Sequence, residues 1–599
     1  MKKKQSIFFA SFKFIFSMAW KASKAMTIIR MLIIVVEAFI PVVISWIGKL
    51  IVDVLTNGVE NNSFSENRTD LIKLLLILTV FGIFSILIRK VRENMESMHI
   101  DLINFRIDTG IMEKSAGLDL SYFDNPKLYN EINIVHKDKA FLEKLIWNTS
   151  DLVYGIIGLI SSMILLAGLH WSCSVIVVAL CLPDAIIDQK LRKRIYNNSN
   201  EIMSDERKFK YLYKLFFEKD SCKEMRLYNL KEYFIEKYVR IRDDWHNRRM
   251  KYVKKRGGIR VFTSMISVAG FICIEIFAGI KVIMGAMSLG NYTFYTGLFS
   301  NAISAMDNLI RSTLSIYDAD IRVRHHMNFM DLKENVFPCG EGKIEGVPAI
   351  EFRNVSFKYP NTDVYVLEDV SFTIQPCEKI AIVGLNGAGK TTLTKLLMRF
   401  YEPTSGQILL NNRDIHEYSE SEIKKLYSAV FQDFARYSLT VREAVSMSDI
   451  EARHDTDKLR HACEMSGASE FAEQWEKGYD TYLTKKFDSD GEELSGGQWQ
   501  KIALARAFFR DARVMVLDEP TASLDPKAEY EIFEQFASLI QDKSAIMISH
   551  RLSSVVMVDK ILVLQNHKII ESGSHQELMN LDGVYAKLFK MQAQKYMEN

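Results

Sequence analysis

The chain has almost no net charge and very little cysteine. Lys and Arg total 76 against 74 Asp and Glu, which leaves +2 over 599 residues. A chain that binds nucleic acid over its surface is usually far more basic, so that class gains no support. The seven cysteines are odd in number and scattered singly, with no CxxC pair. This excludes a disulfide framework and a cysteine-based zinc site, and fits reduced thiols facing cytosol or lipid. At 48% hydrophobic and 25% charged residues, the composition is neither disordered nor collagen-like. The length suggests about four domain-sized pieces.

The average conceals two unlike halves. Up to about residue 310 there are six apolar runs, compared here with the roughly 20-residue helix that crosses a bilayer. They are Met31–Ile47, Leu71–Ile88, Leu152–Leu169, Cys173–Ile187, Phe262–Ile280 and Met287–Ala305. Glu37 and Pro41 interrupt the first, Asp184 lies near the end of the fourth and Glu275 sits inside the fifth. The sixth has no charge but is rich in Ser, Thr, Asn and Tyr. Lys2, Lys3, Lys4, Lys13, Lys21, Lys24 and Arg30 precede the first run, whereas Asn57–Asp70 holds only Arg68. The positive-inside bias therefore puts the N-terminus in the cytoplasm, and six spans return the chain there. No small-residue cleavage site follows the first run, so it is not a removable signal. The connections expected to be external are very short, at His170–Ser172 and Gly285–Ala286. The cytoplasmic ones, Arg89–Asp151 and Asp188–Arg260, are too long to be structureless. They read as helices running on below the membrane and reversing at tips near Tyr122–Pro126 and Lys219–Cys222.

From Ala349 the pattern changes to short alternating strands and then to α/β alternation. The buried run Ile380–Val383 leads into Gly384-Leu385-Asn386-Gly387-Ala388-Gly389-Lys390-Thr391, the P-loop spacing GxxxxGK[ST] between strand and helix. Its glycines let backbone amides close on phosphate at a helix N-terminus. Lys390 is placed for the β- and γ-phosphates and Thr391 for Mg²⁺. The apolar strand Val514–Leu517 ends in Asp518 and Glu519, one suited to the metal and the other to polarising a water as general base. Leu494-Ser495-Gly496-Gly497-Gln498 precedes a helical run and is a second anion cradle.

Together these three motifs resemble the nucleotide-binding domain of ATP-binding cassette (ABC) transporters, and six spans ahead of them resemble a half-transporter exporter. The resemblance covers nearly the whole chain. It implies an α-helical membrane domain over residues 1–320, a linker over 321–347 and an α/β P-loop NTPase domain over 348–599. Carried onto matching positions, it implies that Gly384, Asn386, Gly387, Ala388, Gly389, Lys390, Thr391 and Thr392 bind ATP. It further implies that Tyr359 stacks on adenine, Gln432 touches Mg²⁺ and water, Asp525 crosses a dimer interface and His550 contacts the γ-phosphate. Ser495, Gly496, Gly497 and Gln498 would complete the site of an opposing domain. One P-loop and one such signature therefore imply a second chain, identical or related. The tips near Asn125 and Asp220 resemble coupling helices. Cofactors implied are ATP and Mg²⁺; the partners are the bilayer, a second half-transporter and the exported substrate, with no nucleic acid. The N- and C-termini and the ATPase domain would be cytoplasmic in a multi-pass cell-membrane protein.

Asp488–Glu493, ahead of the signature, departs from many exporters and, with Gln498–Lys501, is similar to exporters of modified bacterial peptides such as lantibiotics. No N-terminal peptidase domain is apparent, so leader cleavage is not expected. Peptide, lipid and amphipathic drug remain open as substrates. A membrane sensor that binds ATP without transport, and a cassette ATPase of DNA repair or translation, are the alternative classes. Intact Glu519 argues against the first and the six apolar runs against the second.

Overall fold

The computed structural model describes residues 13–14, 16–60, 64–197, 199–334, 339–360, 362–519, 542–549 and 555–597. Asp525 and His550 lie outside the described residues. The chain divides into two compact units, residues 1–116 with 130–332, and residues 117–129 with 333–599.

The first unit is helical. Its elements are α1 (Lys24–Glu60), α2 (Phe64–Gly117), α4 (Pro126–Leu166), α5 (Trp171–Asn197), α6 (Ser199–Leu215), α7 (Lys219–Leu227), α8 (Lys231–Ile283) and α9 (Leu289–Met330); α3 (Leu120–Asp124) belongs to the second unit. At about 1.5 Å per residue, the 54 residues of α2 and 53 of α8 far exceed the roughly 30 Å of a hydrocarbon core. Apolar run and charged extension are thus one continuous helix. Both tips are short helices, α3 and α7, as the resemblance to coupling helices implies.

Each apolar run lies on a helix, but they are not equivalent. Among the described residues, α1, α2, α8 and residues 148–166 of α4 are long and apolar enough to cross a membrane. Among the described residues of α5 the apolar part is Trp171–Pro183, and α9 is not among the helices that meet this measure. The polarity of α9 is used against α1. Asn301 Nδ2 donates to the Pro41 carbonyl (3.3 Å) and to Ser45 Oγ (3.2 Å), and the Gly290 amide donates to Asp53 Oδ1 (3.2 Å). A Cβ at Gly290 would stand 2.2 Å from that carboxylate oxygen, so glycine allows the approach. Small residues and interhelical hydrogen bonds are how helices associate where water supplies no hydrophobic drive. Leu298, Phe299 and Ala302 on the same helix are buried with Leu166, Val177 and Ile274.

Glu37, inside the first apolar run, finds its partners on another helix. It is buried and ion-paired with Arg92 at 2.9 Å and Arg89 at 3.8 Å on α2, and Arg92 also faces Asp151 on α4 at 3.6 Å. Glu275 is half-buried, and among the described residues no base lies within ion-pair distance of it.

The second unit holds two sheets. An antiparallel sheet has the order β2-β1-β4-β5, with β1 (Ile350–Phe357), β2 (Leu367–Ile374), β4 (Ser405–Leu410) and β5 (Arg413–Asp414). The larger sheet has the order β10-β9-β3-β8-β7-β6. Its strands β3 (Lys379–Val383), β6 (Tyr427–Val430), β7 (Val514–Asp518), β8 (Ser544–Ile548) and β9 (Lys560–Gln565) are parallel neighbours, and β10 (Lys568–Gly573) is an antiparallel edge. Strands β7 and β8 are buried throughout, as expected of a parallel sheet covered on both faces. Of the segment read as a linker, residues up to Met330 are helix. Gly340 and Gly342 are tied to the second unit through the His416 carbonyl (2.7 Å) and the Glu417 carbonyl (3.0 Å).

Candidate nucleotide site

Strand β3 lies in the middle of the parallel sheet, so Gly384 emerges at its carboxyl edge, where α/β sheets bind ligands. The following turn opens α10 (Lys390–Leu397). Two of its glycines are required by geometry. Gly389 has φ +106°, and a Cβ there would stand 2.8 Å from the Val366 carbonyl oxygen; a Cβ on Gly384 would stand 2.3 Å from that of Leu564. Asn386, Gly387 and Ala388 form the turn between them.

The side chains converge from three segments. Lys390 is 6% exposed and its Nζ donates to the carbonyls of Gly384 (2.8 Å) and Leu385 (3.1 Å). Burial holds its pKa below the usual lysine value, opposed by the nearby carboxylates of Glu519 and Asp518. Thr391 Oγ1 donates to Asp518 Oδ2 at 3.0 Å. Asp518, at the end of β7, is 2% exposed, and burial raises its pKa above the ordinary carboxylate range. Gln432, in the loop after β6, donates from Nε2 to Glu519 Oε2 at 3.0 Å. Glu519 itself has φ +50°, the left-handed region that side chains other than glycine seldom adopt, and its amide donates to the Ile548 carbonyl at 3.0 Å. Strain of this kind gathers where an unusual conformation aims a functional group.

Tyr359 follows β1, and its hydroxyl shares a hydrogen bond with Thr392 Oγ1 at 3.0 Å. Its ring packs edge-on against Phe357 and Tyr401 at 5.1 and 5.3 Å between centroids. The Tyr401 hydroxyl donates to Asp124 on α3, and Lys395 Nζ lies 3.6 Å from the same carboxylate. The first tip is therefore joined to the aromatic cluster that holds Tyr359. No local pattern announces that link, because Asp124 and Tyr401 are 277 positions apart.

Ser495 caps α15 (Gly496–Phe509), the helix reached after α11 (Glu420–Leu426), α12 (Val441–Ser446), α13 (Thr456–Met465) and α14 (Ser469–Ala472). Its hydroxyl accepts from the Gln498 amide at 3.3 Å while Gln498 Oε1 accepts from the Ser495 amide at 2.9 Å, a capping box. The Ser-x-x-Gln spacing announces this cap, in addition to the anion cradle of Ser-Gly-Gly. Among the described residues no hydrogen bond or ion pair joins Ser495–Gln498 to Gly384–Thr392. The P-loop amides and Lys390 suit a polyphosphate, and the Thr391 hydroxyl beside the buried Asp518 carboxylate is the oxygen set that hard divalent cations take.

Comparison with known proteins shows the family to which the chain belongs. The family pattern described as ABC transporter matches residues 367–522, and that described as ABC transporter transmembrane region matches residues 26–306. The chain is 31% identical over 587 residues to the subtilin transport ATP-binding protein of Bacillus subtilis, covering 96% of this chain and 93% of that one. It is 28% identical over 549 residues to the nisin transport ATP-binding protein of Lactococcus lactis subsp. lactis, covering 90% of each. In fold it is similar to a bacterial Atm1-family ABC exporter with ATP bound, with a TM-score of 0.79 over 95% of this chain and 99% of that one, at 19% identity.

Proposed function

Because the chain belongs to the ABC transporter family, we propose that the substrate carried by this ATP-driven exporter is a modified peptide. The protein is a multi-pass cell-membrane exporter whose cytoplasmic domain hydrolyses ATP as transport proceeds. The peptide reading is supported by the relatives named for subtilin and nisin transport and by the stretch from Asp488 to Lys501.

The observation that carries the chemistry is the convergence of Lys390, Thr391, Asp518, Glu519 and Gln432 within hydrogen-bond reach at the carboxyl edge of β3 and β7. Backbone amides from Gly384 to Thr391 cradle the phosphates, Lys390 takes their charge and Tyr359 stacks on the base. Thr391, Asp518 and Gln432 would hold Mg²⁺, which supplies charge neutralisation at the β- and γ-phosphates. Glu519 accepts the proton of the attacking water, positioned by the amide of Gln432. Ser495–Gln498 of a second half-transporter closes the site, with Asp525 and His550 completing it. Closure of two such domains turns the membrane cavity outward, and hydrolysis resets it.

The cargo is tested by ATPase stimulation of the full chain in nanodiscs with a lantibiotic-type peptide, a lipid or an amphipathic drug. Stimulation by the peptide alone supports the reading, and stimulation by lipid or drug alone overturns it. Subunit masses after gentle detergent extraction distinguish an identical partner from a related one.

A further inference from the structure

Far from the nucleotide site, the charged extensions of the membrane helices form a second feature. Helices α6 and α8 pack antiparallel and border an open cleft of about 390 Å³. Phe209, Tyr213, Tyr238, Trp245, Arg242 and Arg249 line it together with the Glu206–Lys210 ion pair. Phe209 and Trp245 are each 6% exposed and meet edge-to-face at 5.5 Å, with Tyr238 edge-on to Phe209 at 6.0 Å. The Arg242 guanidinium lies 4.7 Å from the Phe209 ring centre and 4.4 Å from that of Trp245, and Arg249 lies 4.9 Å from Trp245.

The charge around this box is uneven. Glu206 is engaged by Lys210 at 2.6 Å, and Asp205 by Arg248 at 2.5 Å. Among the described residues no carboxylate meets Arg242 or Arg249. A guanidinium stacked on an aromatic face keeps its N–H fork available at the edge, where it matches a carboxylate bidentately. Two such forks above a rigid aromatic floor suit an anionic group carried next to an apolar or aromatic one.

Position decides between possible sources. Trp245 precedes Phe262, the start of the fifth apolar run, by seventeen residues, about 25 Å along a helix. Headgroups extend only about 5–8 Å beyond the hydrocarbon core, so lipid does not reach the box. The ligand arrives from the cytosol. We propose that the Arg242–Trp245–Arg249 box docks an acidic, aromatic-bearing segment of the peptide cargo before it enters the membrane cavity. The proposal rests on the peptide-export reading.

The test is fluorescence anisotropy of a labelled synthetic peptide of alternating acidic and aromatic residues, titrated with the detergent-solubilised full chain. The parent should bind it and should ignore a basic peptide of equal length and aromatic content. Arg242→Gln with Arg249→Gln should weaken binding by about tenfold or more while basal ATPase stays unchanged. Lys254→Gln with Lys255→Gln removes the same charge from α8 outside the box and should change binding by less than about threefold. Arg242→Lys, which keeps charge but loses the fork, should also weaken binding and guards against misfolding of the double variant. No binding by the parent, equal loss in the Lys254 and Lys255 variant, or no loss in the arginine variants overturns the proposal. So does displacement of the peptide by phosphatidylglycerol vesicles, or loss of the dimer in the arginine variants, which would assign the box to lipid or to a second copy. Peptide-stimulated ATPase without this binding removes the box and keeps peptide export. Absence of both removes peptide export as well.

Discussion

Replacing Glu519 with Gln isolates the chemical step from everything else the site does. Gln keeps the length and shape of Glu, and its carbonyl oxygen still accepts the 3.0 Å hydrogen bond from Gln432. The left-handed backbone at φ +50° is occupied by a non-glycine residue in both proteins, so strain does not change appreciably. The variant is expected to fold within about 1 kcal/mol of the parent, as substitutions that break no buried contact do. Proton acceptance from water is lost, together with the carboxylate charge beside Lys390. General-base assistance contributes roughly 10²- to 10⁴-fold, which at about 1.36 kcal/mol per decade raises the barrier by roughly 2.7–5.5 kcal/mol. The assay is steady-state phosphate release by the purified full chain, with nucleotide affinity and thermal unfolding measured on the same preparation. Hydrolysis should fall by at least about 100-fold with unchanged nucleotide affinity and melting temperature. Phosphate release at the parent rate would refute Glu519 as the base, and a comparable loss of nucleotide binding would place the residue in binding instead.

Four further outcomes follow. Ser495→Arg chains and Lys390→Ala chains should each be inactive as homodimers, but verified mixed dimers should regain one working site; persistent inactivity would contradict a site shared between chains. Asp518→Asn should abolish hydrolysis yet raise ATPase-domain stability, because a carboxylate whose pKa is raised by burial destabilises the fold when ionised. That gain should be full above the raised pKa and shrink as pH falls toward the ordinary carboxylate range, where Asp518 is protonated folded or unfolded; calorimetry across pH checks the sign. Glu37→Gln should destabilise the helical unit by roughly 1–3 kcal/mol by leaving Arg92 short of its closest partner, and adding Arg92→Gln should recover part of the loss in thermal unfolding. A carboxylate inside a membrane span is costly against lipid, so Glu275 is expected to face a cavity and meet a cationic group of the cargo; Glu275→Gln should abolish cargo-stimulated ATPase while leaving basal turnover intact, and unchanged stimulation would make Glu275 structural.

How much of this was legible depended on sequence distance. The P-loop was readable because the buried run Ile380–Val383, the glycines and Lys390–Thr391 are contiguous, and backbone sterics act locally. The carboxylate pair was readable for the same reason, as a buried strand ending in Asp518 and Glu519. Its left-handed Glu519 was not, since that conformation is imposed by the Ile548 carbonyl of a neighbouring strand. Apolar runs placed the membrane helices, but hydropathy alone misjudged what polarity means in α9, where Asn301 serves α1 from 260 positions away. Glu37 likewise seemed isolated because Arg89 and Arg92 belong to another helix. Partners brought together only by the folded chain leave no periodicity to read.

ATP-dependent uptake into inside-out membrane vesicles tests the account most directly, with a fluorescein-labelled lantibiotic-type peptide that stimulates the ATPase of the parent chain as the probe. Vesicles carrying the parent chain should accumulate the peptide when ATP is supplied, and not with a non-hydrolysable analogue. Vesicles carrying Glu519→Gln at equal abundance should stay at background. Accumulation that proceeds without hydrolysable ATP or equally in the Glu519→Gln vesicles, or a parent that hydrolyses ATP yet accumulates no peptide, would contradict ATP-driven peptide export.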